Sequence, residues 1–295
     1  MKMNSRRAEL LMAVVTLAWG SSYLLMKVGL EGISPFNLIA LRFGIAFITM
    51  MLIFFPRFRG VKADDLGKGL LMGTLLFLIF AALVVGVSLT TASTAGFLAS
   101  TTVVIVPILE ALIRRKLPGR NIAFSILLAV VGLYLLTVKE GLALDRGAAY
   151  CLLAAFVYAV YIIVFDRIAK QGDSFLISIL QLGVAALLGA GFMLAFETPK
   201  LPGTGLQWGA MLGLGIVCSA FGFVAQPLAQ RYTSSEKIGL IFSLEPVFSA
   251  LLSYIFLREI LSGRGYVGAA LIFAGVVYSQ LAGMRRLTPM RRGVG

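Results

Sequence analysis

The residues with the most chemistry in this chain are a carboxylate and a proline, Glu245 and Pro246, set inside the apolar run KIGLIFSLEPVFSALLSYIFL (237–257). An ionisable side chain in such a run is costly in lipid, so it faces other helices or a watery cavity and marks a functional contact. Pro246 has no N–H and disrupts the bond to the carbonyl one turn earlier, that of Phe242, freeing an acceptor beside the carboxylate. Glu245 lies about ten residues, or roughly 15 Å, from the cytoplasmic end of its candidate span, 235–257, which is near the middle of a bilayer. A carboxylate there suits binding of a solute amine, carriage of a coupling proton, or pinning of a neighbouring broken helix through Arg42 or a backbone amide. The residue types alone leave these three open.

Three other charges sit in apolar surroundings: Arg42, Lys27 and Glu110. Arg42 is deep enough to need a partner, either one that fixes the fold through an ion pair or carbonyl, or a carboxylate on a solute. Lys27 is near a span end, where it snorkels or meets a ligand. Glu110 has Arg114 on the next turn and reads as a helix-end ion pair. Aromatic residues form a second constellation. Trp19 lies mid-span, away from the interfacial belt, and Tyr158 follows it at an interval of 139 residues. With Tyr23 and Phe97 these rings make a candidate wall that either stacks on a planar or cationic solute or packs helices. Thr101, between Ser100 and Thr102, and Gln226, before Pro227, add hydrogen-bonding groups. The candidate substrate cavity is therefore Trp19, Tyr23, Phe97, Thr101, Tyr158, Gln226 and Glu245, with Arg42, Lys27 and Glu245 as buried charges and Pro107, Pro227 and Pro246 as helix breaks.

The rest of the composition narrows the function. Of 295 residues 59% are hydrophobic and 13% charged, against about 45–50% and 25% in soluble domains, so the chain is an integral membrane protein whose partners are a small-molecule substrate and the bilayer. The net charge of +13 is not a nucleic-acid signature, because most basic residues flank apolar runs. With no histidine, and only Cys151 and Cys218 inside apolar segments, neither a metal site nor a disulfide framework is present. No Walker or dinucleotide-binding fingerprint occurs, so no cofactor is expected. Intramembrane proteolysis lacks its histidine, and the acidic pair Asp64–Asp65 lies in a basic loop, unsuited to metal-dependent prenyl transfer. The expectation is a non-enzyme, a monomer or weak homodimer.

A hydrocarbon core about 30 Å thick takes about 20 helical residues. Ten candidate helices follow: 9–30, 34–55, 67–89, 93–114, 120–138, 147–168, 174–196, 206–230, 235–257 and 264–283. The first has basic flanks like a secretory signal, but no small-residue cleavage site follows, so it is read as an uncleaved span. Lys and Arg number 19 on one side and 5 on the other, placing both termini in the cytoplasm of a bacterial or archaeal inner membrane. The halves also resemble each other: LRFGIA (41–46) matches LQLGVA (180–185), KGLLMG (68–73) matches WGAMLG (208–213), and AVVGLYL (129–135) matches IFAGVVY (272–278). Five helices per copy puts the second copy, residues 141–295, upside down relative to residues 1–140, as in many secondary transporters.

On LAWGSSYLLMK (17–27), ALRFGIAF (40–47), TTASTAGFLASTTVVIVPILEALIRRKLP (90–118), VGLYLLT (131–137), SLEPVFSALLSYIFLREILS (243–262) and GAALIFAGVVYSQ (268–280), the chain resembles the EamA-type permeases of the drug/metabolite transporter superfamily. The resemblance implies ten helices in a five-plus-five inverted repeat and a small-metabolite permease, often an exporter, of solutes such as amino acids or drugs. One element departs: IRRKLPGR replaces the Gly-Glu-Arg element expected after the fourth helix, and its acidic counterpart survives only at Glu259. The expected activity is secondary active transport by alternating access through a central cavity; a passive facilitator or channel is the alternative.

Overall fold

The computed structural model describes residues 4–113, 115, 120–137, 145–168, 173–222, 225–226, 229, 232 and 241–287. Among these the secondary structure is helical: α1 (Ser5–Leu30), α2 (Pro35–Ile53), a 3₁₀ segment (Phe55–Gly60), α3 (Ala63–Leu89), α4 (Ala92–Ser100), α5 (Thr102–Ile113), α6 (Arg120–Thr137), α7 (Arg146–Ile168), α8 (Ser174–Phe196), α9 (Gly205–Leu212), a π-helical segment (Gly213–Phe221), α10 (Glu245–Leu257) and α11 (Gly263–Leu287). Among the described residues six helical spans, counting Ala92–Ile113 as one, are long and apolar enough to cross a membrane, and four shorter apolar helices accompany them. Large apolar side chains point outward along this bundle, Leu52 at 74% and Leu187 at 75% exposure among them. Such a surface suits lipid rather than water.

The breaks inside spans follow local chemistry. The fourth span divides at Thr101, not at the expected Pro107, which lies inside α5. Ser100, Thr101 and Thr102 return their hydroxyls to the carbonyls of Phe97, Leu98 and Ala99, a pattern that competes with the helical ladder and bends it. The proline itself is absorbed one and a half turns into the following helix. In the ninth span the expected break is present: Ser243 and Leu244 form a turn, and α10 starts at Glu245 with Pro246 in its first turn, where a missing N–H is harmless. Pro227 lies outside the described residues.

Helix α2 packs on α8, and α6 on α11; α3 packs on both α7 and α8, while α1 and α2 pack on the π-helical segment. Helix α10 sits on α1 and α4, and α7 on α4 and α5. Exchanging the two halves of the chain maps these principal packings onto one another. Glycines set the closest approaches. A methyl on Gly73 would come within 2.9 Å of the Gln181 carbonyl on α8, and one on Gly215 within 3.2 Å of the Arg42 carbonyl on α2. By these contacts Gly215, rather than the expected Gly213, answers to Gly73. The displacement falls within the π-helical segment, whose wider turns take up extra residues.

Two carboxylates from the second half of the chain cap helices of the first. Glu197 accepts from the backbone N–H of Phe36 (3.0 Å) and Asn37 (3.0 Å) and from Asn37 Nδ2 (2.9 Å), at the start of α2. Glu259 accepts from the N–H of Ala92 (3.0 Å) and Ser93 (3.1 Å) and from Ser93 Oγ (3.0 Å), at the start of α4. The first-turn N–H groups of a helix have no intrahelical partner, and negative charge is favoured there by the helix dipole. The acidic residue marked by the resemblance thus has a structural task.

The close approaches and the caps set the cost of single substitutions. Gly268→Ala places a methyl 2.6 Å from the Gly132 carbonyl, a backbone atom that cannot swing away, and should destabilise the α6–α11 contact by about 1–3 kcal/mol. Gly44→Ala, with nothing within 4 Å of the new methyl, should leave the melting temperature in detergent unchanged or slightly raised. Glu197→Ala and Glu259→Ala should each lower stability by about 1–2 kcal/mol, the usual effect of a lost cap, read as a lower melting temperature.

Candidate functional site

The site is built where α1 and α10 come closest. Gly20 makes that approach possible: a methyl there would lie 2.9 Å from the Glu245 carbonyl and 2.7 Å from Phe248 Cβ. One turn further along α1, Tyr23 donates its hydroxyl to Glu245 Oε1 at 2.9 Å. Glu245 occupies the first turn of α10, the end of a helix that favours a carboxylate. Helix break, close approach and hydrogen bond therefore form one local arrangement. The expected partner of Glu245 among the alternatives, Arg42, is not the one it uses.

Trp19 takes a structural as well as a lining position. Its Nε1 donates to the carbonyl of Cys218 (2.8 Å), and its ring stacks on Phe242 with centroids 5.2 Å apart. Gly222 leaves room for the indole, since a methyl there would lie 2.5 Å from Nε1. Cys218 belongs to the π-helical segment, a rare backbone form that is frequent at functional sites. Arg42 is anchored on the same segment: Nε donates to Ser219 Oγ at 3.0 Å, and the guanidinium lies 4.4 Å from the centroid of Phe80. These contacts take the place of the expected ion pair or carbonyl.

Tyr158 meets Tyr161 with ring centroids 5.8 Å apart, and Tyr161 donates its hydroxyl to Gln181 Oε1 at 2.8 Å. Trp19 and Tyr158 thus find different aromatic neighbours and do not stack on each other. The structure brings Trp19, Tyr23, Tyr158, Arg42 and Glu245 around one region of the bundle. Phe97 is not part of it: at 6% exposure it belongs to a separate apolar cluster with Val104, Ala129, Ala269, Ile272 and Val276, because the face of α4 that carries it turns toward α11. Thr101 likewise spends its hydroxyl on Leu98 within its own span. Gln226 is half-buried.

Two cavities flank this region at opposite helix ends. One, of about 590 Å³, lies at the C-terminal ends of α1, α3 and α10 and is lined by Lys27, Glu31, Ser34, Ser88 and Glu259. The other, of about 250 Å³, lies between α5 and α7 and is lined by Val106, Glu110, Ile162, Asp166 and Arg167. Lys27 therefore sits at a cavity mouth, not at the centre. Glu110 lines the other cavity, and its expected partner Arg114 lies outside the described residues. Ser219, Gln181, Tyr161 and Phe242 are contributors that sequence reasoning missed. Gln181 was the most accessible of them, since the match of LRFGIA with LQLGVA sets it at the place of Arg42.

Comparison with known proteins accords with this architecture. An uncharacterized transporter of Archaeoglobus fulgidus is 32% identical over 277 residues, covering 93% of this chain and 86% of its own length. A second from the same organism is 27% identical and covers 93% of this chain and 97% of its own length. The uncharacterized transporter YetK of Bacillus subtilis is 25% identical, covering 87% of this chain and 82% of its own length. A solved structure superposes with a TM-score of 0.68 at 22% identity, covering 97% of this chain and 100% of its own, a likeness of fold. The EamA-like transporter family matches twice in succession, over residues 6–138 and 145–280, so the chain belongs to the EamA-like transporter family.

Proposed function

We propose that the protein is a secondary active transporter, an exporter of a small organic metabolite, that works by alternating access to the region around Tyr23 and Glu245. The observation that carries this reading is the hydrogen bond from Tyr23 to Glu245 at a broken helix end inside the apolar bundle. A carboxylate kept at such a place needs a task that lipid-facing packing does not supply. The two family matches in one chain and the half-exchange relation among packings support a five-plus-five repeat, residues 1–140 and 141–295. With ten spans and five per copy, the second copy is inverted and the site lies near the midplane between them. The excess of Lys and Arg on one side, 19 against 5, supports cytoplasmic termini in the inner membrane of a bacterium or archaeon. Transport, not catalysis, is the reading for a chain whose relatives are named transporters.

In this reading Glu245 alternates between protonated and ionised states as the site changes side. Proteoliposomes supplied with amino acids, nucleobases and amines, with and without a proton gradient, test it. Saturable uptake accelerated by internal unlabelled solute is expected; flux that never saturates and shows no counterflow would favour a passive facilitator. Glu245→Gln removes the titrating group, and any residual transport should lose its pH dependence. A variant that keeps the wild-type pH profile removes Glu245 from coupling. Tyr23→Phe takes away the hydrogen bond and should lower the transport rate about tenfold, the effect of losing a bond to a charged group.

A further inference from the structure

We propose, on the transport reading above, that the protein waits closed at the rim carrying Glu197 and Glu259 and opens its polar centre first at the opposite rim. The reason is that carboxylates crossing between the halves tie one rim and not the other. Pro35 and Ser174, 139 residues apart, open α2 and α8 and expose the same first-turn N–H groups. On α2 the N–H groups of Phe36 and Asn37 donate to Glu197, at the far end of α8. Their equivalents on α8, Phe175 and Leu176, donate to Asp173, the residue that directly precedes their own helix. Ser34, which stands where Asp173 does, makes no side-chain cap. A cap carried by the helix it serves travels with that helix. A cap carried by another helix is lost when the two part, and the freed N–H groups have no intrahelical partner.

The sequence withholds the same device from the second rim. The segment after α2, FFPRFRG (54–60), contains no carboxylate. Against the start of α8 it sets Arg57, whose guanidinium lies 4.6 Å from the centroid of Phe175, and Phe54, whose ring meets the same ring at 4.9 Å. Such ring contacts slide without leaving an N–H unpaired. The other cap shows the same reversal of charge. Arg115 and Arg258 both hold the left-handed conformation, at φ of 50° and 56°. Helices α6 and α11 begin five residues after each, so the two turns correspond at an offset of 143, that of AVVGLYL and IFAGVVY. The next residue is Glu259 in the second half, where it caps α4, and Lys116 in the first. Lys116 lies outside the described residues, but an ammonium only donates hydrogen bonds and cannot cap an N–H in any orientation. No carboxylate occurs anywhere in ALIRRKLPGR (111–120) to replace it.

Separating α8 from α2, or α10 from α4, at the tied rim therefore forfeits bonds to a carboxylate, which are stronger than bonds between neutral groups. The same motion at the other rim leaves the α8 cap intact. Inverted halves with identical ties would weight the two open states alike; unequal ties favour the state that keeps them.

The test uses the full chain in membrane vesicles of both orientations. Cys151→Ala leaves Cys218 as the single thiol, 1% exposed in the π-helical segment beside Trp19, so a membrane-impermeant maleimide reaches it only through an open rim. Leu201→Cys, in the loop after Glu197 and 68% exposed, identifies the vesicles that present the tied rim. Cys218 should react about tenfold faster through the Asp173 rim than through the tied one, and the double variant Glu197→Gln, Glu259→Gln should shrink that ratio to about threefold or less. Each single Glu→Gln variant should fall between, which covers the case in which the double variant fails to fold. Asp173→Ala should lower the melting temperature and leave the ratio unchanged, separating a tie between halves from a cap that only stabilises. Equal rates, a faster tied rim, no reaction from either side, or a ratio indifferent to both carboxylates overturns the inference. Counterflow separates this from the transport reading. A carboxylate-dependent ratio without counterflow overturns transport and leaves the tied rim; counterflow with equal rates at both rims overturns the tied rim alone.

Discussion

Inside a bilayer no water is available to pair a freed N–H or C=O, so each departure from regular helix needs an internal partner. That constraint explains where this bundle places its polar side chains. At Thr101 three consecutive hydroxyls take up carbonyls of their own span. In the π-helical segment the Cys218 carbonyl is met by Trp19 and the Ser219 hydroxyl by Arg42. At the start of α10 the chain breaks between helical stretches, and Glu245 is met by Tyr23. Helix irregularity and polar chemistry occur together because each would be costly without the other.

The same economy governs how the helices approach. Apolar attraction does not hold helices together in lipid, where the solvent is as apolar as the side chains, so contact depends on close fit and small residues. Gly20 brings α1 onto α10, and without that contact Tyr23 would not reach Glu245. Gly73 and Gly215 seat α3 on α8 and the π-helical segment on α2, beside Gln181 and Arg42. The polar centre is thus positioned by residues that have no side chain at all.

Much of this was legible in the sequence, for identifiable reasons. Apolar length located the helices, six of them among the described residues long enough to cross a membrane, and a proline beside a carboxylate located the break at Glu245, because both signals are local and costly to place elsewhere. Pro107 carried the same local signal as Pro246, yet its span breaks at Thr101. A proline disturbs a helix but does not dictate which residues supply the alternative hydrogen bonds. Phe97 leaves the candidate aromatic wall because residue type does not say which face of α4 turns toward α11. The π-helical register, and with it the partners of Trp19 and Arg42, follows from packing between segments about 200 residues apart, beyond the reach of periodicity. Comparison of the halves was the one tool able to pair Arg42 with Gln181 before any coordinates.

The two capping carboxylates have a mechanical meaning. Glu197 and Glu259 tie the second half of the chain to the first through six hydrogen bonds, and both act at one rim, where Glu259 shares a cavity with Ser34 and Pro35. At the other rim α8 begins with a purely local cap, Asp173 accepting from Phe175 and Leu176. One end of the bundle is stitched across the chain, while at the other α8 starts from a self-contained turn. Motion that parts the halves at the stitched rim must find another home for two carboxylates at once.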